Sequence, residues 1–114
     1  MKPGQEGEGL AVEFLRQQGY KIVKRNYRTF LGEIDIIALD QDTLVFIEVK
    51  ARESIRFGHP FEAVNSHKRK KIANVAQLYL KKLKDIPSCR FDVVSVYRVH
   101  GDPQIELIKD AFEV

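Results

Sequence analysis

The chain has 114 residues, 44% of them hydrophobic and 31% charged, with a formal net charge of +3. A chain of this size reads as one domain over residues 1–114. No apolar run approaches the ~18–20 residues that cross a bilayer, and the opening residues, Met1 to Glu6, lack the apolar stretch of a secretion signal. The single cysteine, Cys89, excludes an internal disulfide, and together these features predict a cytoplasmic protein with no membrane partner.

The spacing of Leu10, Ala11, Phe14 and Leu15 predicts a first helix over 5–18, stopped by Gly19. A strand follows from Tyr20 to Tyr27. Residues 31–39 and 44–51 read as a hairpin whose two strands are apolar on both faces, interrupted by the polar turn Asp40-Gln41-Asp42-Thr43. Residues 52–64 read as a loop, and Asn65 or Ser66 can cap a second helix reaching about Lys84. Its stripe is Ile72, Val75, Ala76, Tyr79 and Leu83. Arg90 to Val99 is rich in β-formers, Gly101-Asp102-Pro103 is a turn, and Gln104 to Ile108 a short last strand. This order implies an antiparallel three-strand meander, a crossover through the long helix, and a further strand parallel to the third. Strands apolar on both sides call for helices on both faces of the sheet.

The most informative residues are Glu48 and Lys50, which share one face of the third strand. If the hairpin folds symmetrically about Gln41 and Asp42, Asp35 lies opposite Glu48 and Glu33 opposite Lys50. Facing residues of this kind have Cβ atoms about 4.5–5.5 Å apart. A four-residue loop over 40–43 keeps this pairing; a loop of three or five residues breaks it. Two carboxylates facing each other between apolar neighbours need a compensating cation. A hard divalent ion, Mg²⁺ or Mn²⁺, meets that need, and so does a lysine ion pair at an exposed strand end. Glu8 sits on the shoulder of the first helix's apolar stripe, among Gly4, Gly7 and Gly9. Glycines so placed fit a close backbone approach, and a frayed terminus with a dipole-compatible acid fits the same residues.

The basic residues are clustered. Arg25, Arg28, Arg52 and Arg56 flank the hairpin, and Lys68, Arg69, Lys70 and Lys71 open the second helix. Such grouping suits a polyanion, although a solvated surface accounts equally well for so small a net charge. Lys68, four residues before Ile72, falls in line with the inward stripe and could reach an acid or a phosphate. A snorkelling lysine is the commoner reading of such a position. His59, His67 and His100 have no metal-ligand spacing. Cys89 lacks a histidine arrangement and reads as a small buried residue.

Several of these segments together resemble one family. They are Gly4-x-x-Gly7-Glu8-x-x-Ala11, Gly19-Tyr20, Asn26-Tyr27-Arg28, Gly32-Glu33-Ile34-Asp35, Val45 to Arg52, Arg90-Phe91-Asp92-Val93-Val94 and Asp110-Ala111-Phe112. The chain resembles the bacterial YraN-like proteins, uncharacterised protein family 0102, which look like a branch of the PD-(D/E)xK nucleases near the Holliday-junction resolvases. Ile34 stands where the superfamily motif has proline. The resemblance implies a restriction-endonuclease-like α/β core, α-β-β-β-α-β, with a mixed sheet flanked by helices. By the same pattern the helix acid falls on Glu8, the first metal acid on Asp35 and the E-x-K pair on Glu48 and Lys50.

The expectation from residues and resemblance together is metal-dependent hydrolysis of DNA phosphodiesters at branched or otherwise structured DNA. Asp35, Glu48 and Glu8 would hold Mg²⁺ or Mn²⁺, with Lys50 at the reacting water. Glu33 would orient Lys50, and Arg28, Arg52, Arg56, Lys68, Arg69 and Lys71 would grip the backbone. A symmetric dimer is the simplest way for so small a domain to act on two strands. The competing expectations are a nucleic-acid-binding domain of the same fold that does not cleave, and a structural domain whose acids form only salt bridges.

Overall fold

Ile36, Ile37 and Ala38 of one strand and Val45, Phe46 and Ile47 of the next are all at most 1% exposed. Side chains of successive strand residues point to opposite faces, so both faces of this sheet have to be covered. The computed structural model, which describes residues 3–51 and 66–112, shows how. Helix α1 (Pro3–Gln17) precedes strands β1 (Lys21–Thr29), β2 (Gly32–Asp40) and β3 (Thr43–Ala51); helix α2 (Ser66–Leu80) precedes β4 (Ser88–Val99) and β5 (Asp102–Ile108). The five strands form one sheet in the order β1-β2-β3-β4-β5. The pairs β1–β2, β2–β3 and β4–β5 are antiparallel, and β3–β4 is parallel. The order, the meander and the parallel fourth strand are those the sequence predicts.

Each face carries its own core. On one, Ala11, Val12 and Leu15 of α1 meet Ile36, Ala38, Val45, Ile47, Val94 and Val96. On the other, Ile72, Val75 and Ala76 of α2 meet Tyr27, Ile34, Ile37, Phe46, Val93 and Phe112. A stacked Phe91–Phe112 pair, with ring centroids 5.1 Å apart, extends the second core to the C-terminal segment. Burying each large apolar side chain contributes about 1.5–3 kcal/mol, so these two layers supply most of the driving force. Among the described residues no helix is long and apolar enough to cross a membrane.

Gly19 ends α1 as expected. Its φ is +92°, its N–H donates to Arg16 O at 3.0 Å, and the Tyr20 N–H donates to Leu15 O at 2.9 Å, a Schellman cap. The cap turns Tyr20 inward, where it meets a polar network that the sequence reading does not foresee. The Tyr20 hydroxyl donates to Asp92 Oδ2 at 2.9 Å. Arg90 donates to Asp92 Oδ1 at 2.9 Å, to Tyr20 Oη at 2.7 Å and to Asp40 Oδ2 at 2.9 Å. The Asp110 N–H adds a bond to Asp92 Oδ1 at 2.9 Å. Asp92 is fully buried, and this set of donors compensates its charge. Cys89, expected to be buried, is exposed. It stands near the start of β4, outside both cores.

The glycines of α1 differ in what constrains them. A Cβ on Gly7 would lie 2.9 Å from the Ala51 Cβ, whereas one on Gly9 would meet nothing within 4 Å. Only Gly7 bears out the expected close approach, here onto the end of β3; the surroundings of Gly4 lie outside the described residues. Gly7→Ala should therefore destabilise the fold by about 1–3 kcal/mol through overpacking. Gly9→Ala should stabilise it by up to about 1 kcal/mol through helix propensity. Urea unfolding of the two variants checks the opposite signs.

Candidate active site

The site exists because a β-ladder stops. The β2–β3 pairing runs from Asp40↔Thr43 to Ile36↔Ile47 and ends there. On the other side of β2, the β1–β2 register passes from Arg25↔Ile36 to Tyr27↔Ile34. The residue passed over in β1, Asn26, has a φ of +53°. Asp35 thus sits where β2 is paired on neither side. Its Oδ2 accepts the Val49 N–H at 2.8 Å, taking over from the ladder carbonyls. Beyond this point the strands part, and α1 and α2 reach the opening from opposite faces of the sheet.

A cavity of about 360 Å³ fills the fork, lined by Glu8 from α1, Asp35 from β2, Glu48 and Lys50 from β3 and Lys68 from the first turn of α2. Asp35 is 8% exposed and Glu48 9%. The two are close enough that burial, the Glu48 charge and, more weakly, Glu8 push the Asp35 carboxyl up from its ordinary value near 3.8 to about 7, against the pull of the Val49 N–H. Lys68 Nζ lies 2.7 Å from Glu48 Oε1, and Lys50 Nζ lies 3.5 Å from the same oxygen. Burial and the neighbouring Lys68 hold the Lys50 ammonium below its usual range. For Lys68 the burial penalty is outweighed by its bonds to Glu48 and Lys50, and its pKa is raised. A larger hollow of about 470 Å³ beneath α2 is lined mainly by apolar residues such as Phe46, Ala76 and Phe91 and has no acid pair.

The sequence expectations fare unevenly. Glu8, Asp35, Glu48 and Lys50 are brought to one cavity, and Lys68, expected on the inward stripe, joins them. Glu33 does not. The predicted Glu33–Lys50 pairing fails because the ladder ends before reaching it; Glu33 instead faces Arg28 on β1, and the two form an ion pair at 3.0 Å. Arg28 is accordingly an exposed partner of Glu33. The Arg69 guanidinium lies over the Phe112 ring, 5.5 Å from its centroid, and Lys71 is exposed on α2. Arg52 and Arg56 lie outside the described residues.

The all-oxygen donor set fits a hard cation, and the raised pKa of Asp35 follows from its burial and from the neighbouring Glu48 carboxylate. Among the described residues, however, no group of three His, Cys, Asp or Glu is placed to hold a metal ion. Lys68 lies against Glu48. The residues present therefore fit an ion held by one or two carboxylates and several waters, the usual manner of Mg²⁺.

A five-stranded mixed sheet between two helices, in the order α-β-β-β-α-β-β and with acids at a fork of its central strands, is a restriction-endonuclease-like α/β core. The model of the uncharacterised protein family UPF0102 matches residues 7–96. This chain belongs to that family, the YraN-like proteins. It is 46% identical over 115 residues to a UPF0102 protein of Syntrophus aciditrophicus, covering 100% of this chain and 91% of that one. A relative in Caldicellulosiruptor saccharolyticus is 47% identical, over 96% of this chain and 95% of its own. One in Chlorobium phaeobacteroides is 52% identical, over 82% and 75%.

The Asp35 environment sets a pH dependence. The folded-state pKa near 7 lies above the unfolded value near 3.8, so the native state binds the extra proton between them. Stability from this group is complete below about pH 4 and is lost as pH rises through 7. Asp35→Asn keeps an acceptor for the Val49 N–H and removes the titration. In metal-free buffer it should be more stable than wild type at pH 8 by roughly 2–4 kcal/mol, with the difference shrinking towards pH 5. Urea unfolding across that range measures it.

Proposed function

We propose that this protein is a metal-dependent endonuclease that hydrolyses DNA phosphodiesters, with a preference for branched or otherwise structured DNA. The observation that carries the reading is the Asp35–Glu48 pair, buried side by side at the end of a ladder, with two lysines against Glu48 at the wall of an open cavity. A fold held together for packing alone gains nothing from this arrangement, since paired like charges cost stability.

Mg²⁺ or Mn²⁺ bound by Asp35 and Glu48 would supply Lewis acidity to the phosphoryl group and acidify a water. The chain's own residues do the rest. Asp35, fixed by the Val49 N–H, and Glu48 are the carboxylates that would hold the cation. Glu8 approaches from the other helix and holds water at the cavity wall. Lys50, kept in place by Glu48, orients the attacking water and donates to the phosphate oxygen as negative charge builds on it. Lys68, ion-paired with Glu48 at the cavity, would offer its ammonium to a phosphate oxygen, a contact that positions the strand without reading its sequence.

A second reading, a nucleic-acid-binding domain that does not cleave, draws on the 2.7 Å Lys68–Glu48 ion pair, which already supplies the acids with a cation of their own. One experiment separates the two. Linear, nicked, flapped and four-way DNA are incubated with Mg²⁺ or Mn²⁺ and wild type, Asp35→Ala or Lys50→Ala. The nuclease reading expects metal-dependent cleavage by wild type and a loss of about 10²–10³-fold or more in either variant. Cleavage that survives both substitutions, or DNA binding with no cleavage under any metal, overturns it.

A further inference from the structure

Beside the acid cavity, at the same end of the sheet, the β1–β2 hairpin ends in the turn Phe30-Leu31. Phe30 is 90% exposed. Its neighbour Leu31 packs against the core beneath α2, so the turn is anchored while one ring stands outside. The turn is also braced. The Thr29 hydroxyl donates to Gly32 O at 3.1 Å, and the Leu31 N–H donates to Thr29 Oγ1 at 3.0 Å. Gly32, at φ +141°, supplies the conformation that closes it.

The strand leading to this tip is basic throughout. β1 carries Lys21, Lys24, Arg25 and Arg28 and no acid, and it forms one edge of the sheet. Arg28 is paired with Glu33 and Lys24 stacks over Tyr27, while Lys21 and Arg25 are exposed. Edge strands carry cations to discourage pairing with other chains. That accounts for the lysines and arginines but not for a phenylalanine ring presented on a braced tip. Cations along a strand ending in an exposed aromatic are the two components of a surface for single-stranded nucleic acid: charge for the backbone and a ring face for a base. Gly32 to Asp35 spans about 10 Å of strand, so a base on the tip lies within a short reach of the cavity.

We infer that Phe30 is a stacking platform for an unpaired DNA base, with Arg25 and, at the far end of β1, Lys21 on the phosphates that lead away from it. The hairpin tip thereby gives the site its preference for DNA containing unpaired or splayed bases. This deepens the nuclease reading and takes its choice of partner from it, but needs neither metal nor cleavage. The turn that carries the ring is already braced, so on binding only the side-chain torsions of Phe30 are ordered.

The chain has no tryptophan, so Phe30→Trp places a lone indole fluorophore at the tip. Fluorescence titrations in EDTA use a 20-nucleotide single strand, a gapped duplex and a blunt duplex of the same sequence. The indole emission of this variant should be quenched by the single strand and the gapped duplex and little changed by the blunt one. Phe30→Ala should weaken binding of the first two by roughly 5- to 100-fold and alter blunt-duplex affinity less than about two-fold. Arg25→Ala should weaken all three alike and lower the salt slope by about one. Equal affinities for Phe30→Ala and wild type overturn the proposal, as do unquenched emission on DNA that binds and an absence of DNA binding. A tip that docks a protein instead gives the first of these results. Quenching without any metal-dependent cleavage leaves this inference standing and ends the nuclease reading; cleavage with Phe30→Ala indistinguishable from wild type does the reverse.

Discussion

The site rests on one substitution of hydrogen-bond partners. Where the β2–β3 ladder ends, the Val49 N–H donates to the side chain of Asp35 and not to a backbone carbonyl. That bond lets the two central strands diverge without leaving a buried donor unpaired, and it fixes one acid of the pair beside the other. The fork, the cavity and the crowding of Glu48, Lys50 and Lys68 all follow from it. The same geometry explains why Asp35 holds its proton to near neutrality: the backbone N–H stabilises the anion, but burial and a neighbouring carboxylate act more strongly.

Two acid clusters of different character sit on this sheet. In one, Tyr20, Arg90, Asp92 and Asp40 form a network in which the buried carboxylate of Asp92 is fully supplied with donors. In the other, the Asp35–Glu48 pair is supplied by the Val49 N–H and by two lysines whose own pKa values move in opposite directions. The first arrangement satisfies its buried carboxylate with its own donors. The second is open, with Lys68 as a counter-ion on a side chain 37% exposed. The Lys68 ammonium thus compensates the Glu48 charge from within the protein itself.

Much of this was legible in the residues because it depends on local pattern. The apolar runs within 31–39 and 44–51, the polar turn between them, and Gly19 after a helical stripe fix the meander and the helix end. The Asp35–Glu48 juxtaposition followed from a symmetric turn, and Lys68 from its position one helical turn before Ile72. The error at Glu33 has a specific cause: pairing was extended beyond Ile36↔Ile47, and nothing in the strand itself marks where a ladder stops. Asn26, a residue tolerant of positive φ, was the available signal. The Asp92 network was not legible at all. Its partners Tyr20 and Asp40 lie far away in sequence, and only the presence of an acid between Phe91 and Val93-Val94 hinted that something had to meet it.

The network around Asp92 also takes in the segment after β5. The Asp110 N–H bonds to the Asp92 carboxylate, the Ala111 N–H bonds to Phe91 O at 2.8 Å, and Phe112 is buried against the sheet. During synthesis, therefore, the inner strands emerge from the ribosome with an acid lacking one donor and a core lacking one ring. The completed native state becomes available only once Phe112 has cleared the exit tunnel, so the strands made first wait on residues made well after them.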